Sequence, residues 1–132
     1  MNYTVTMEGE RQMENEFKEE IEALGTLKEY NVKVVKALKE VIPELKGEKK
    51  EDTDEYFQHI LKGINWEIQV INGTMDYLNK EEETISKEKV NGIIVDLNDA
   101  IKEKQDLKIV SILESQMVPF LISLSEIIET VL

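Results

Sequence analysis

Along most of this chain the apolar residues return at alternating intervals of three and four, the period of helices that each bury one stripe. The clearest run is Phe57, Leu61, Ile64, Ile68, Ile71, Met75 and Leu78, with Ile60, Val70 and Tyr77 widening the buried face. Asp52, followed three residues on by Glu55, resembles a capping box, so the spacing predicts a helix from near Thr53 to about Asn79. Ahead of it, Leu24, Leu27, Asn31, Val34, Leu38, Val41 and Leu45 keep the same alternation, and Met13, Phe17 and Ile21 extend it backward. Gly25 then Thr26, with Glu29 three further on, reads as a helix end and a new N-cap, because Gly inside a helix costs about 1 kcal/mol relative to Ala. The spacing allows one long helix, but a break or kink is expected there, dividing the chain into a tail and acidic helix over 1–25 and a helical bundle over 26–132.

The charged stretch from Gly47 to Asp54 contains no apolar residue and reads as a surface loop between antiparallel neighbours. A third helix is expected from near Ser86, with Val90, Ile94, Leu97 and Ile101 as its stripe and Ile93 and Ala100 beside it. After a tight turn at Lys104 and Gln105, Asp106 is the expected N-cap of a fourth helix. Its stripe is Val110, Leu113, Met117, Phe120, Leu124, Ile127 or Ile128, and Val131. Pro119 removes a backbone donor and crowds the carbonyl of Ser115, so a bend is expected around it. The reading is therefore an all-α fold, a four-helix up-down bundle preceded by an acidic N-terminal helical segment. Met1 to Glu8 alternate like a strand that lacks a partner within the chain.

The 132 residues carry 28 acidic against 16 basic side chains, a net charge of −12, whose averaged field repels nucleic-acid phosphates and anionic lipids. Neither nucleic acid nor membrane is an expected partner. The uncharged apolar stretch from Ser115 to Ser125 is about half the ~20 residues of a spanning helix and reads as core. Cys is absent, and the opening residues hold no basic segment followed by an apolar one, so a cytoplasmic setting is expected.

The catalytic constellations open to such a bundle fail one by one. A carboxylate-bridged two-metal site needs Glu-x-x-His on two helices, and this chain has one His, at position 59 and opposite the seam. One His without Cys leaves no nucleophilic pair, and the six glycines are scattered singly rather than forming a phosphate loop. The acids around Asp52 and Asp54 lack the Gly and Glu spacing of a calcium loop. The expectation is a protein that is not an enzyme and carries no metal or cofactor.

Two stretches carry recognisable patterns: Gly63, Ile64 and Trp66 on one helix, then Asp106, Leu113, Glu114 and Pro119 on the last. They resemble an uncharacterised family of small all-helical proteins and domains of clostridia and bacilli. In that family one helix carries Gly-Leu-x-Trp, and the last carries an Asp followed by Leu-Glu-x-Glu and a Pro. Gln116 stands where the second Glu would fall. The resemblance implies a helical bundle and no known activity.

What remains is binding. Trp66 reads as a flank-packing anchor or as a partner-binding aromatic with Tyr56 and Tyr77 as companions, and Gly63 as room for a neighbouring backbone. Met13, Phe17 and Ile21 form a stripe that four closed helices do not need, so it either docks on its own bundle or pairs with a second copy as a homodimer. Asn31, in the seam, is expected to fix register. The functional expectation is a protein–protein interaction module. Its alternatives are a small-molecule sensor with a pocket between helices near Gly63, Trp66 and the Pro119 bend, and a secretion or flagellar-type chaperone that sheathes a partner helix.

Overall fold

A computed structural model describes residues 17–132, and Met13 lies outside them. The described chain is all-α, as the spacing predicts. Its elements are α1 (Lys18–Lys46), α2 (Thr53–Gly73), a one-turn α3 (Met75–Leu78), α4 (Lys87–Lys102), α5 (Asp106–Ile112) and α6 (Val118–Val131). A π turn, Leu113–Met117, joins α5 to α6 without a gap.

The break expected at Gly25 is absent: α1 runs through it, and the Thr26 hydroxyl donates to the Glu22 carbonyl one turn back instead of capping a new helix. The division expected at 25–26 thus falls inside a continuous helix. Every seam residue assigned to α1 from Leu24 to Leu45 is buried. The helix ends where Gly47 adopts a φ of 151°, a backbone region open to glycine, with its N–H on Glu44 and that of Glu48 on Pro43.

Along α1 and α2 the paired residue numbers run in opposite directions. The Thr53 hydroxyl donates to Glu44 Oε1 at 2.7 Å, the Tyr56 hydroxyl to Glu40 Oε2 at 3.0 Å, and further along the rings of Trp66 and Tyr30 meet. The C-terminal helix lies on the other flank of α1 and also runs against it. Lys46 pairs with Glu114 at 2.9 Å, while Asn31 Nδ2 donates to the Leu121 carbonyl and to Ser125 Oγ, both at 2.7 Å. α4 packs on α5 and the π turn, with Gln116 donating to Asp96.

Several details differ from the sequence reading. Asp52 makes no side-chain cap; the Thr53 hydroxyl takes the Lys50 N–H instead. The second helix is interrupted at Thr74, whose hydroxyl bonds back to the Val70 carbonyl, before α3 carries it to Leu78. Ser86 caps α4 as expected, accepting from the Lys89 N–H. The turn after α4 is made by Lys104 at φ 57°, and the cap that follows is Gln105, one residue before the expected Asp106.

Just before Pro119, where a bend is expected, the helix takes a π turn. There the Val118 N–H reaches Leu113, five residues back, and Pro119 is the second residue of α6, immediately after the turn. A π turn takes an extra residue, so the buried positions step by four twice, Leu113, Met117, Leu121, and Leu121 rather than Phe120 is fully buried. Taken whole, the helix from Asp106 to Val131 is long and apolar enough to cross a membrane, unlike the short stretch judged from sequence. Its apolar side is a wall of this core: Leu113, Met117, Leu121, Leu124 and Ile128 are all fully buried.

Candidate partner-binding face

Along α2 and on through Thr74 to α3, the buried stripe is Phe57, Ile60, Ile64, Glu67, Ile71, Thr74 and Leu78, with Thr53 and Gly63 of α2 and Tyr77 of α3 also buried. The expected seam had chosen Leu61, Ile68 and Met75 in place of Ile60, Glu67 and Thr74; those three are only half-buried. At those three positions the buried residue is the preceding one, and Phe57, Ile64, Ile71 and Leu78 are buried as expected. The same correction applies to α4, where Ile93 and Ala100 are buried and Ile94 and Ile101 flank them.

Trp66 lies off this buried stripe and stays 38% exposed. Tyr30 of α1, 36% exposed, meets it edge to face with ring centroids 5.2 Å apart and an interplanar angle of 80°. The arrangement depends on Gly63, one turn before Trp66, because a Cβ there would collide with the Tyr30 hydroxyl. Gly63 therefore admits a neighbouring side chain and not the backbone expected from sequence. The other large exposed apolar residues, Val32, Val95, Leu107, Ile122 and Leu132, have no comparable aromatic contact, and single exposures of that kind are ordinary.

The companions expected for Trp66 are elsewhere. Tyr56 lies ten residues earlier, roughly 15 Å along the helix, bound to Glu40, and burial and that carboxylate push its hydroxyl pKa up. Tyr77 is buried: its ring packs on Phe17 at 5.2 Å and under Lys80 Nζ at 3.4 Å, and its hydroxyl donates to the Val131 carbonyl. Phe17 and Ile21, the described members of the N-terminal stripe, are half-buried against this chain's own core.

Behind the aromatic pair lies a polar layer of the core. Asn31 and Glu67 follow Tyr30 and Trp66 in sequence, and both are fully buried. Asn31 Nδ2 makes two hydrogen bonds, while its Oδ1 and both Glu67 oxygens have no partner among the described residues. Burial alone pushes the Glu67 carboxyl up to about 8, so it is neutral at pH 7. Sequence reasoning missed Glu67, since a Glu beside Ile68 reads as solvated, and missed Tyr30, which no apolar spacing marks. The tight Gly63 was the one available signal for it.

A separate cleft of about 310 Å³ opens between α4 and the π turn, lined chiefly by Lys89, Gly92, Asp96, Gln116, Pro119 and Phe120. Gly63 and Trp66 are not among its lining residues. Among the described residues no three His, Asp or Glu side chains gather as a metal site would require.

A continuous all-α core with an exposed aromatic pair on its first hairpin defines an all-helical domain. The chain belongs to the family described as domain of unknown function DUF8042, whose model matches residues 22–127, from the first half of α1 into the last turns of α6. No curated protein and no solved structure matches it.

Proposed function

We propose that this domain is not an enzyme and works by protein contact, with the Tyr30–Trp66 face as its docking point. One observation carries the reading: two aromatic rings are fixed against each other on a helical hairpin, each left about one-third exposed where the core has no use for them. Trp and Tyr anchors of this kind supply most of the affinity at protein interfaces, since they offer large rigid area at low entropic cost. Affinity capture with the full chain from its native cells tests it. Trp66→Ala should lose the captured protein while retaining the helical spectrum and melting point, and an unchanged capture would overturn the assignment.

A second reading has an observation of its own. The π turn and Gly92 shape the cleft at Asp96 and Gln116, and π turns recur at functional sites. A small polar molecule binding there would raise the melting point in proportion to its concentration over Kd. Self-association through Met13, Phe17 and Ile21 is weaker support for contact, because Phe17 and Ile21 already pack on their own core.

A further inference from the structure

We infer that the docking face takes an acidic partner: an amphipathic helix of another protein, with an apolar side chain on Trp66 and carboxylates opposite Lys33, Lys36 and Lys62. The inference deepens the contact reading and rests on it. Its basis is the way charge is distributed over a chain whose net charge is −12. The parts of α1 and α2 that flank the aromatic pair, residues 26–39 and 56–70, carry Lys28, Lys33, Lys36, Lys39 and Lys62. Against them stand Glu29 and Glu67, and Glu67 is buried and turned away from solvent. Acidic residues dominate elsewhere, including Glu40 and Glu55 at the boundary of this region.

Lys33 is three residues from Tyr30, and Lys62 is four from Trp66, spacings that place each on the same helical face as its aromatic neighbour. Lys36 follows Lys33 by one turn. All three are exposed, and among the described residues none pairs with a carboxylate, whereas Lys46, Lys49 and Lys108 do. Uncompensated lysines around an exposed Trp make a surface complementary to an anionic, partly apolar ligand. The length fits a helix: Thr26 to Lys39 spans roughly 20 Å at 1.5 Å per residue. A polynucleotide would meet these lysines too, but its many phosphates would also meet the acidic remainder of the domain.

Trp66 is the chain's single Trp, so its emission reports occupancy of this face directly. The experiment titrates the full chain with three synthetic amphipathic helical peptides that share one Leu and Phe stripe and carry Glu, Gln or Lys at every polar position. The Glu peptide should shift Trp66 emission and bind more weakly as salt rises. The triple variant Lys33→Glu, Lys36→Glu, Lys62→Glu should weaken it by at least about tenfold, the sum expected of several exposed ion pairs, with an unchanged melting curve. Equal binding of the Gln or Lys peptide would overturn the acidic inference and leave the contact reading standing, and a flat response to all three also overturns it. Tighter quenching by a short RNA oligonucleotide, or a concentration-dependent shift without any peptide, would replace the acidic helix with a nucleic acid or a second copy. If Trp66→Ala also leaves cellular capture unchanged, the contact reading falls as well.

Discussion

α1 and α2 are packed by the same rule, and each buries one polar residue behind the Tyr30–Trp66 pair, but the two residues are buried on different terms. Asn31 has both hydrogens of its amide engaged, on Leu121 and Ser125, and so ties α1 to one place along α6. Neither Glu67 oxygen has a partner among the described residues, and burial raises its carboxyl pKa to about 8. A buried amide whose two donors are engaged specifies register; a buried carboxyl that titrates makes the stability of the domain depend on protons.

The largest expected effect comes from that difference. A Glu in the unfolded chain has a pKa near 4.5, and in the fold Glu67 holds its proton to about 8. Between these values the folded state binds more protons than the unfolded state, so stability falls as pH rises from about 4.5 to about 8 and is level on either side. The loss attributable to this residue is roughly 3 to 5 kcal/mol. Urea unfolding at pH 5, 6.5 and 8.5 should show it as a difference in slope between the native chain and Glu67→Gln, whose amide does not titrate. Parallel pH profiles for the two proteins would mean that Glu67 is charged and solvated, and would return α2 to the phase in which Ile68 faces the core.

The next largest effect separates the C-terminal helix from the regular α1. Leu113→Ala and Leu121→Ala remove fully buried side chains and should each cost about 2 to 5 kcal/mol. Phe120→Ala and Leu61→Ala, at half-buried positions, should cost clearly less in the same denaturation experiment. The sequence spacing alone assigns Phe120 to the seam and gives Leu61 and Leu113 equal weight. If Phe120→Ala proves costlier than Leu121→Ala, the π turn is absent and the helix keeps a constant period.

These contrasts show which parts of the fold were legible. The α1 seam could be read through Asn31 because substituting the neighbouring Val32 would break the alternation of three and four. In α2, Ile68 preserves the alternation as well as Glu67 does, and hydrophobicity then selects the wrong one. In the last helix, Pro119 announced an irregularity, but a π turn conserves helix while shifting phase, which a spacing rule cannot register. The candidate face was half legible: Trp66 and Gly63 stood out, but Tyr30 reaches them only because two helices run antiparallel at a particular depth.

The smallest effect bears on whether α1 is one helix, and it sets two glycines of the same hairpin against each other. If Gly25 were a helix end, its conformational freedom would be in use and an Ala there would be destabilising. In the continuous α1 its backbone is helical, and a Cβ would meet nothing within 4 Å. Gly25→Ala should therefore stabilise the domain by about 0.5 to 1 kcal/mol, through the lower entropy of the unfolded chain. Gly63 is helical too, but there the added methyl group strikes the Tyr30 hydroxyl, so Gly63→Ala must displace the ring from Trp66 and should change the emission of that Trp. Thermal unfolding followed by circular dichroism and by Trp66 fluorescence reads both at once. A lower melting point for Gly25→Ala would restore the break at residue 25, whereas a rise with native emission fits α1 as a single uninterrupted helix.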